Sequence, residues 1–306
     1  MSGVRNPHRP PIHINRVNLL VLKKSQIWRD GETASNSMKA SELVDLLNKR
    51  YDPSTAEIWD SVGVVCGDLN NEVKKIYFCI DVLPETVSEA IAWNADFIIA
   101  HHPLLLHELA EVAEGELPIV ITPWKIELQE RLSSEGIVLL TAHTNADKAT
   151  PGVSDALARL LGITNLTSLP GDIGRVGTLP EAISLKYFAA KVKSILPISK
   201  AGIRVFGNPE QIINRIAVSG GSGDHLLATV RSADVDLYLT ADLRHHPVSE
   251  AIESGSPALI DAGHFATEWP WLNQAATLLA QDLASGGYAS VEMKVSTLST
   301  DPWSFS

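Results

Sequence analysis

The residues of this chain best suited to chemistry are histidines with carboxylates close by. Of ten histidines, five fall at or just beyond the ends of short apolar runs: His101 and His102 after NADFIIA, His143 after IVLLTA, His264 after ALIDAG, and His245 a few residues past VDLYLTA. Asp147 follows His143 by four residues, and Glu268 follows His264 by four. Neutral imidazole with carboxylate is the usual ligand set for divalent zinc, manganese, iron or nickel. Side chains alternate along a strand, so adjacent His101 and His102 at a strand end can face two different metals. If a helix starts at His264, its i, i+4 spacing to Glu268 puts both on one face. Any one of these histidines, taken alone, reads as a hydrogen-bonded loop or core residue. Taken jointly with Asp147 and Glu268, they point to a metal site.

Such residues need elements to position them. Short apolar runs alternate with amphipathic stretches, the pattern of an α/β chain. Strands are expected over 75–82, 96–100, 137–141, 212–219, 236–240, 258–261 and 288–296, with 203–206 extended. Helices are expected from Met38 onward and over 84–94, 124–134, 152–161, 181–196, 225–232, 247–254 and 267–284, and residues 169–180 form a Gly/Pro-rich passage. Two stretches look alike: NADFIIA leads to His101-His102-Pro103, and VDLYLTADLR leads to His245-His246-Pro247. Likewise IVLLTA precedes His143 and Asp147, as ALIDAG precedes His264 and Glu268. A duplicated α/β lobe explains both, and so does chance similarity between unrelated α/β units. In open α/β sheets, sites form beyond the carboxyl ends of the strands, where these histidines lie.

Composition sets the limits. The chain has 306 residues, 45% of them hydrophobic and 20% charged, enough for a sizeable core in two lobes. A net charge of −11 argues against a general electrostatic grip on nucleic acid or an anionic membrane. Residues 1–37 break with the rest, carrying six basic and two acidic residues, a net of +4 against −15 for the remainder, along with Pro7, Pro10 and Pro11. They read as a loosely attached or disordered extension, followed by lobes over 38–170 and 171–306 that both halves help to complete. Cys66 and Cys79 are too few for a disulfide framework and read as small buried hydrophobes. No run reaches the roughly 20 apolar residues of a membrane span, and Val17–Leu22 is too short for a signal-peptide core, so a cytoplasmic protein is expected.

Eight motifs then occur in one order: Trp59-Asp60-Ser61-Val62-Gly63, Cys66-Gly67-Asp68, IIAHHPLL from Ile98, TAHTNADKATPGVSDALA from Thr141, GRVGTLPE from Gly174, AVSGGSG from Ala217, DLYLTADLRHH from Asp236 and DAGHFATE from Asp261. In these the chain resembles the GTP cyclohydrolase 1 type 2 homologues, the Nif-three-like proteins, over essentially Met38–Ser296. The resemblance implies two similar α/β lobes with a binuclear divalent-metal site in the cleft between them, and assembly into a toroidal homohexamer. By position the implied ligands are His101, His102, Asp147, His264 and Glu268, with His143 beside them to handle protons. The span from Leu169 to Asn208 leaves no room for the inserted middle domain of longer members. Ser61 replaces the usual asparagine after Trp-Asp, and Ala241 the usual glycine of the T-G-D/E segment.

The activity implied is metal-dependent hydrolysis, with activated water attacking C8 of a purine nucleotide such as GTP and releasing formate. Within the motifs, Lys148 and Arg244 are the basic residues available to a triphosphate. A metal-binding regulatory or interaction scaffold, and a phosphoester or nucleotide hydrolase using the same metals, are the alternatives. Gly220-Gly221-Ser222-Gly223 reads either as a phosphate cradle or as a tight turn. Trp59-Asp60 reads as a packing motif, and Trp269 and Trp271 as core or subunit interface.

Overall fold

The computed structural model describes residues 37–105 and 122–305; the extension expected over 1–37 lies almost wholly outside them. Two sheets carry the fold. In the first, Glu292–Val295, Lys75–Cys79, Phe97–Ala100 and Val138–Thr141 run parallel, and Gly63–Cys66 closes the edge antiparallel. In the second, Ile212–Ser222, Leu237–Ala241 and Ala258–Asp261 run parallel. Antiparallel Arg175–Ser184 and Thr164–Ser168 flank them on one side and Arg204–Phe206 on the other.

Central parallel strands are buried on both faces, which is why FIIA and the VLL of Val138–Leu140 are unbroken apolar runs. One face of the first sheet (Ile76, Phe78, Ile99, Leu140) packs on helices Ala40–Arg50 and Pro270–Ser285 through Leu43, Leu47, Trp271 and Leu279. The other face (Tyr77, Ile98, Leu139) packs on Pro84–Ala92 and Pro123–Ser134. Each such buried side chain contributes about 1.5–3 kcal/mol. Helix Val153–Leu160 joins the lobes: Val153 and Ala156 enter the first core, Leu157 and Ala158 the second.

The lobes repeat the same backbone frame. Asp96 Oδ2 accepts from the amides of Lys74 and Lys75, each at 2.8 Å, and Asp236 Oδ2 does the same for Asn214 and Arg215, each at 2.8 Å. Val138 N donates to Asp96 O as Ala258 N does to Asp236 O, and Ala142 N to Ala100 O as Ala262 N does to Thr240 O. Strand for strand, 75–79, 97–100 and 138–141 therefore correspond to 215–219, 237–240 and 258–261.

Several elements differ from expectation. Residues 181–184, expected as helix, end the strand Arg175–Ser184, which also takes up half of the Gly/Pro-rich passage. Pro180 is tolerated because it sits where the ladder to Ile212–Ser222 is interrupted, between the pairs Thr178–Arg215 and Ile183–Ile213. The helix starts at Leu185, with Ser184 Oγ accepting from Tyr187 N at 3.3 Å. The expected helix 267–284 is two helices, His264–Glu268 and Pro270–Ser285, the second opened by proline at its first position. Met38–Lys39 pairs with Glu72–Val73 before the first helix begins at Ala40. Sheet membership changes before Thr164, not at 170, and Glu292–Val295 returns to the first sheet. No helix among the described residues is long and apolar enough to cross a membrane.

Candidate metal centre

His101, His102, His143, Asp147, His264 and Glu268 meet where the parallel strands of the two sheets end. His101 and His102 directly follow Phe97–Ala100, and His143 precedes the short helix Thr144–Lys148 that carries Asp147. His264 and Glu268 bound one helical segment, so their spacing does put both on one face. His101 Nε2 lies 3.5 Å from Glu268 Oε1 and 3.7 Å from Asp147 Oδ1. His102 Nε2 is 3.1 Å from Glu268 Oε2 and 3.2 Å from His264 Nε2, and His264 Nε2 is 3.0 Å from Glu268 Oε1.

All four imidazoles are turned the same way. His101 Nδ1 donates to Ala142 O at 2.9 Å, His102 Nδ1 to Asp81 Oδ1 at 2.7 Å, His143 Nδ1 to Asp60 Oδ1 at 2.8 Å and His264 Nδ1 to Asp242 Oδ2 at 2.6 Å. Each Nε2 is thereby left for the interior, the arrangement that fixes tautomer and basicity in metal-binding histidines. Atoms able to hold a metal ion form two groups that share His102, namely His101–His102–His143 and His102–His264–Glu268, with Asp147 outside both. His101 Nε2 and Glu268 Oε2 are buried and, among the described residues, make no well-aligned hydrogen bond, Glu268 Oε2 standing 3.1 Å from His102 Nε2. Buried polar atoms without partners are costly, so acceptors aimed at a common point fit a cation.

The electrostatics agree. Burial alone would lower the pKa of His102 and His264, but the Glu268 carboxylate overrides it, with Asp81 and Asp242 adding to the effect, and holds them at about 10 and about 11. Burial would raise Glu268, yet His264, His102 and His101 hold it well below the carboxylate range. Asp147 is pushed up by burial, against the pull of His101 and His143. Asp60, despite burial, is drawn down to about 2 by His143 and Thr144. A field that holds protons on two imidazoles also favours a metal cation.

Other residues divide into those that join the site and those that do not. His245 opens the helix His245–Glu253, exposed, its ring 5.2 Å from His246 and outside the cluster. Lys148 is paired with Glu57 at 2.7 Å and Arg244 with Asp224, and neither lines the cavity of about 590 Å³ that opens beside His102 and His264. Arg204, which does line it, is bound to Asp261 and to Leu243 O. The glycine turn is part of the site: Gly221, at φ +66°, would place a Cβ 2.2 Å from Glu268 Oε1 and 3.2 Å from His264 Nε2. Trp271 is fully buried in the core, its ring 5.1 Å from that of His101. Sequence reasoning missed the orienting carboxylates Asp60, Asp81 and Asp242. The available signal was position, since Asp81 and Asp242 lie one or two residues beyond parallel strands, and Asp60 falls within the first motif.

The chain is similar to known proteins over most of its length. A protein of Streptomyces coelicolor called GTP cyclohydrolase 1 type 2 homolog is 41% identical over 274 residues, covering 87% of this chain and 93% of its own. A Mycobacterium bovis protein of the same name is 31% identical over 380 residues, covering 87% of this chain and 97% of its own. That span exceeds the 306 residues of this chain, so the mycobacterial relative carries additional residues. The crystal structure of a Staphylococcus aureus hypothetical protein superposes with a TM-score of 0.77 at 26% identity, covering 88% of this chain and all of that one. Residues 38–302 match the family described as Duf34/NIF3 (NGG1p interacting factor 3), and the chain belongs to that family.

Proposed function

We propose that the chain is a divalent-metal-dependent hydrolase of a purine nucleotide or related heterocycle. The observation that carries this reading is the convergence of inward Nε2 atoms with buried acceptors that make no well-aligned hydrogen bond, beside an open cavity. His101, His102, Asp147, His264 and Glu268 would hold two cations, zinc, manganese, iron or nickel. Bound there, divalent cations supply Lewis acidity and lower the pKa of water toward neutrality.

The remaining steps belong to side chains. Asp81 and Asp242 keep His102 and His264 in the tautomer that presents Nε2. Asp60 fixes His143 with Nε2 free, edge-on to His101 and His102, and Asp147 completes the ligand set without it. His143 is thus placed to take a proton from attacking water at Nε2 and return it to the leaving group. With GTP, one water attacks C8 and opens the imidazole ring by breaking one C8–N bond, and a second water hydrolyses the resulting formamide to release formate. The relatives named GTP cyclohydrolase 1 type 2 homolog support that choice by name.

A metal-binding interaction scaffold is the second reading, favoured by one observation. Lys148, Arg244 and Arg204, the basic residues nearest to serving a triphosphate, are already in ion pairs. Metal-loaded protein incubated with GTP and assayed for formate, beside phosphate release from nucleotides and phosphodiesters, separates the readings. Formate supports the first, phosphate alone the phosphoester hydrolase, and neither product with any of several metals the scaffold. We further propose a cytoplasmic homohexamer; exposed Ile58, Trp59, Tyr187, Ile198 and Ile212 supply apolar surface for contacts between copies. Sedimentation as a monomer at micromolar concentration would refute the assembly.

A further inference from the structure

The segment that follows the strand Glu292–Val295 reaches back to the metal centre. Ser296 anchors it: its amide donates to Phe78 O at 2.9 Å, its hydroxyl to Glu89 Oε2 at 3.0 Å, and its carbonyl accepts from Trp269 Nε1 at 3.4 Å. Thr300 Oγ1 then donates to Asp81 Oδ2. The other oxygen of that carboxylate, Oδ1, accepts from His102 Nδ1 at 2.7 Å. Thr300 through Trp303 also form a wall of the cavity beside His102 and His264.

A carboxylate that orients an imidazole through one oxygen can still swing about its own bond unless its second oxygen is held. The same brace occurs across the site, where Asp60 Oδ1 orients His143 while Oδ2 accepts from the Thr144 hydroxyl and from Thr144 N at 3.0 Å. There the brace is local, since Thr144 follows His143 directly. At Asp81 it comes from a residue 219 positions away in the chain. His102 belongs to both histidine groups, so its ring orientation bears on both.

We propose that Thr300 is a positioning residue of the metal centre: through Asp81 it fixes the ring and tautomer of His102, and so ties the cavity wall Thr300–Trp303 to metal retention. The inference rests on the metal-site reading above. Outer partners of metal-binding histidines are worth about 10–100-fold in metal affinity, and a hydroxyl one step further out belongs at the low end of that range.

The test uses the full chain and cobalt(II) as probe, measuring affinity by chelator competition and the visible ligand-field spectrum. Thr300→Val should weaken cobalt binding about 10-fold and shift the spectrum, while Thr300→Ser should match wild type. Asp81→Asn should weaken binding at least as much, and Thr300→Val added to Asp81→Asn should cost nothing further, because both act through one carboxylate. Should Thr300→Val fold poorly, Thr300→Ala is read the same way. Wild-type affinity and spectrum in both the valine and alanine variants, or losses that multiply in the double variant, overturn the inference while the metal site stands. A wild-type chain that binds no cobalt overturns both.

Discussion

The triplet His-His-Pro occurs twice, once in each lobe, and only one copy reaches the candidate metal centre. Aligning the lobes by their shared hydrogen bonds puts Ala100 opposite Thr240, and so His101 opposite Ala241 and His102 opposite Asp242. In the first lobe the triplet begins directly after the strand. In the second, the strand continues to Ala241, and Asp242, Leu243 and Arg244 intervene before His245 opens an exposed helix. The frame is repeated, but the chemistry is divided. One lobe places an imidazole at the strand end; the other places there the carboxylate that orients His264. The same alignment sets Asp81, which orients His102, opposite Gly221, whose missing side chain makes room for Glu268. Distance from the strand's carboxyl end, counted in single residues, decides whether a motif joins the cluster.

Substitutions can break or sharpen that contrast. The largest effect is expected from Glu268→Ala, which removes the anion facing His101, His102 and His264. Metal content measured by mass spectrometry should fall to background, as it should in the double variant His101→Ala, His264→Ala. Full occupancy in that double variant would exclude the site. His143→Ala should instead keep its metal and lose turnover, and loss of both would make His143 a ligand.

Gly221→Ala comes next. It forces a Cβ into Glu268 at a left-handed backbone position and should cost about 1–3 kcal/mol in denaturant unfolding along with most of the bound metal. Its counterpart position carries Asp81, so a tolerated Gly221→Ala would show that the two strand ends are not packed as described.

Smaller is the expected consequence of charge. His102 and His264 are held at about 10 and about 11 in the metal-free protein, above the unfolded value near 6.5. Their contribution to stability is then complete below about pH 6.5 and is lost as pH rises through 10–11. Metal must displace these protons, so loading at pH 7 should release protons, and calorimetric enthalpies should vary with buffer ionisation enthalpy. Buffer-independent enthalpies would show that the two imidazoles are already neutral. The smallest effect belongs to the second triplet: His245→Ala and His246→Ala should leave metal content unchanged and stability within about 0.5 kcal/mol.

The sequence by itself determined the α/β class, most strands and helices, and the pairing of His143 with Asp147 and of His264 with Glu268, because alternating apolar runs and i, i+4 spacing are local properties. His264 with Glu268 was legible for that reason, and the ordered motifs made the family legible as well. Local pattern misled where tertiary pairing overrode it: residues 181–184 join a strand because Ile183 and Ser184 pair with Ile213 and Ile212. The tertiary structure alone decided that His101 and His264 meet, that His245 does not join them, and that Asp60, Asp81 and Asp242 turn four rings with Ala142 O to one centre. Those facts depend on how the strand ends of two sheets are brought together and on which residue stands first beyond each strand. No local period encodes either, because residues as far apart as Asp81 and Thr300 become neighbours only once the core has packed.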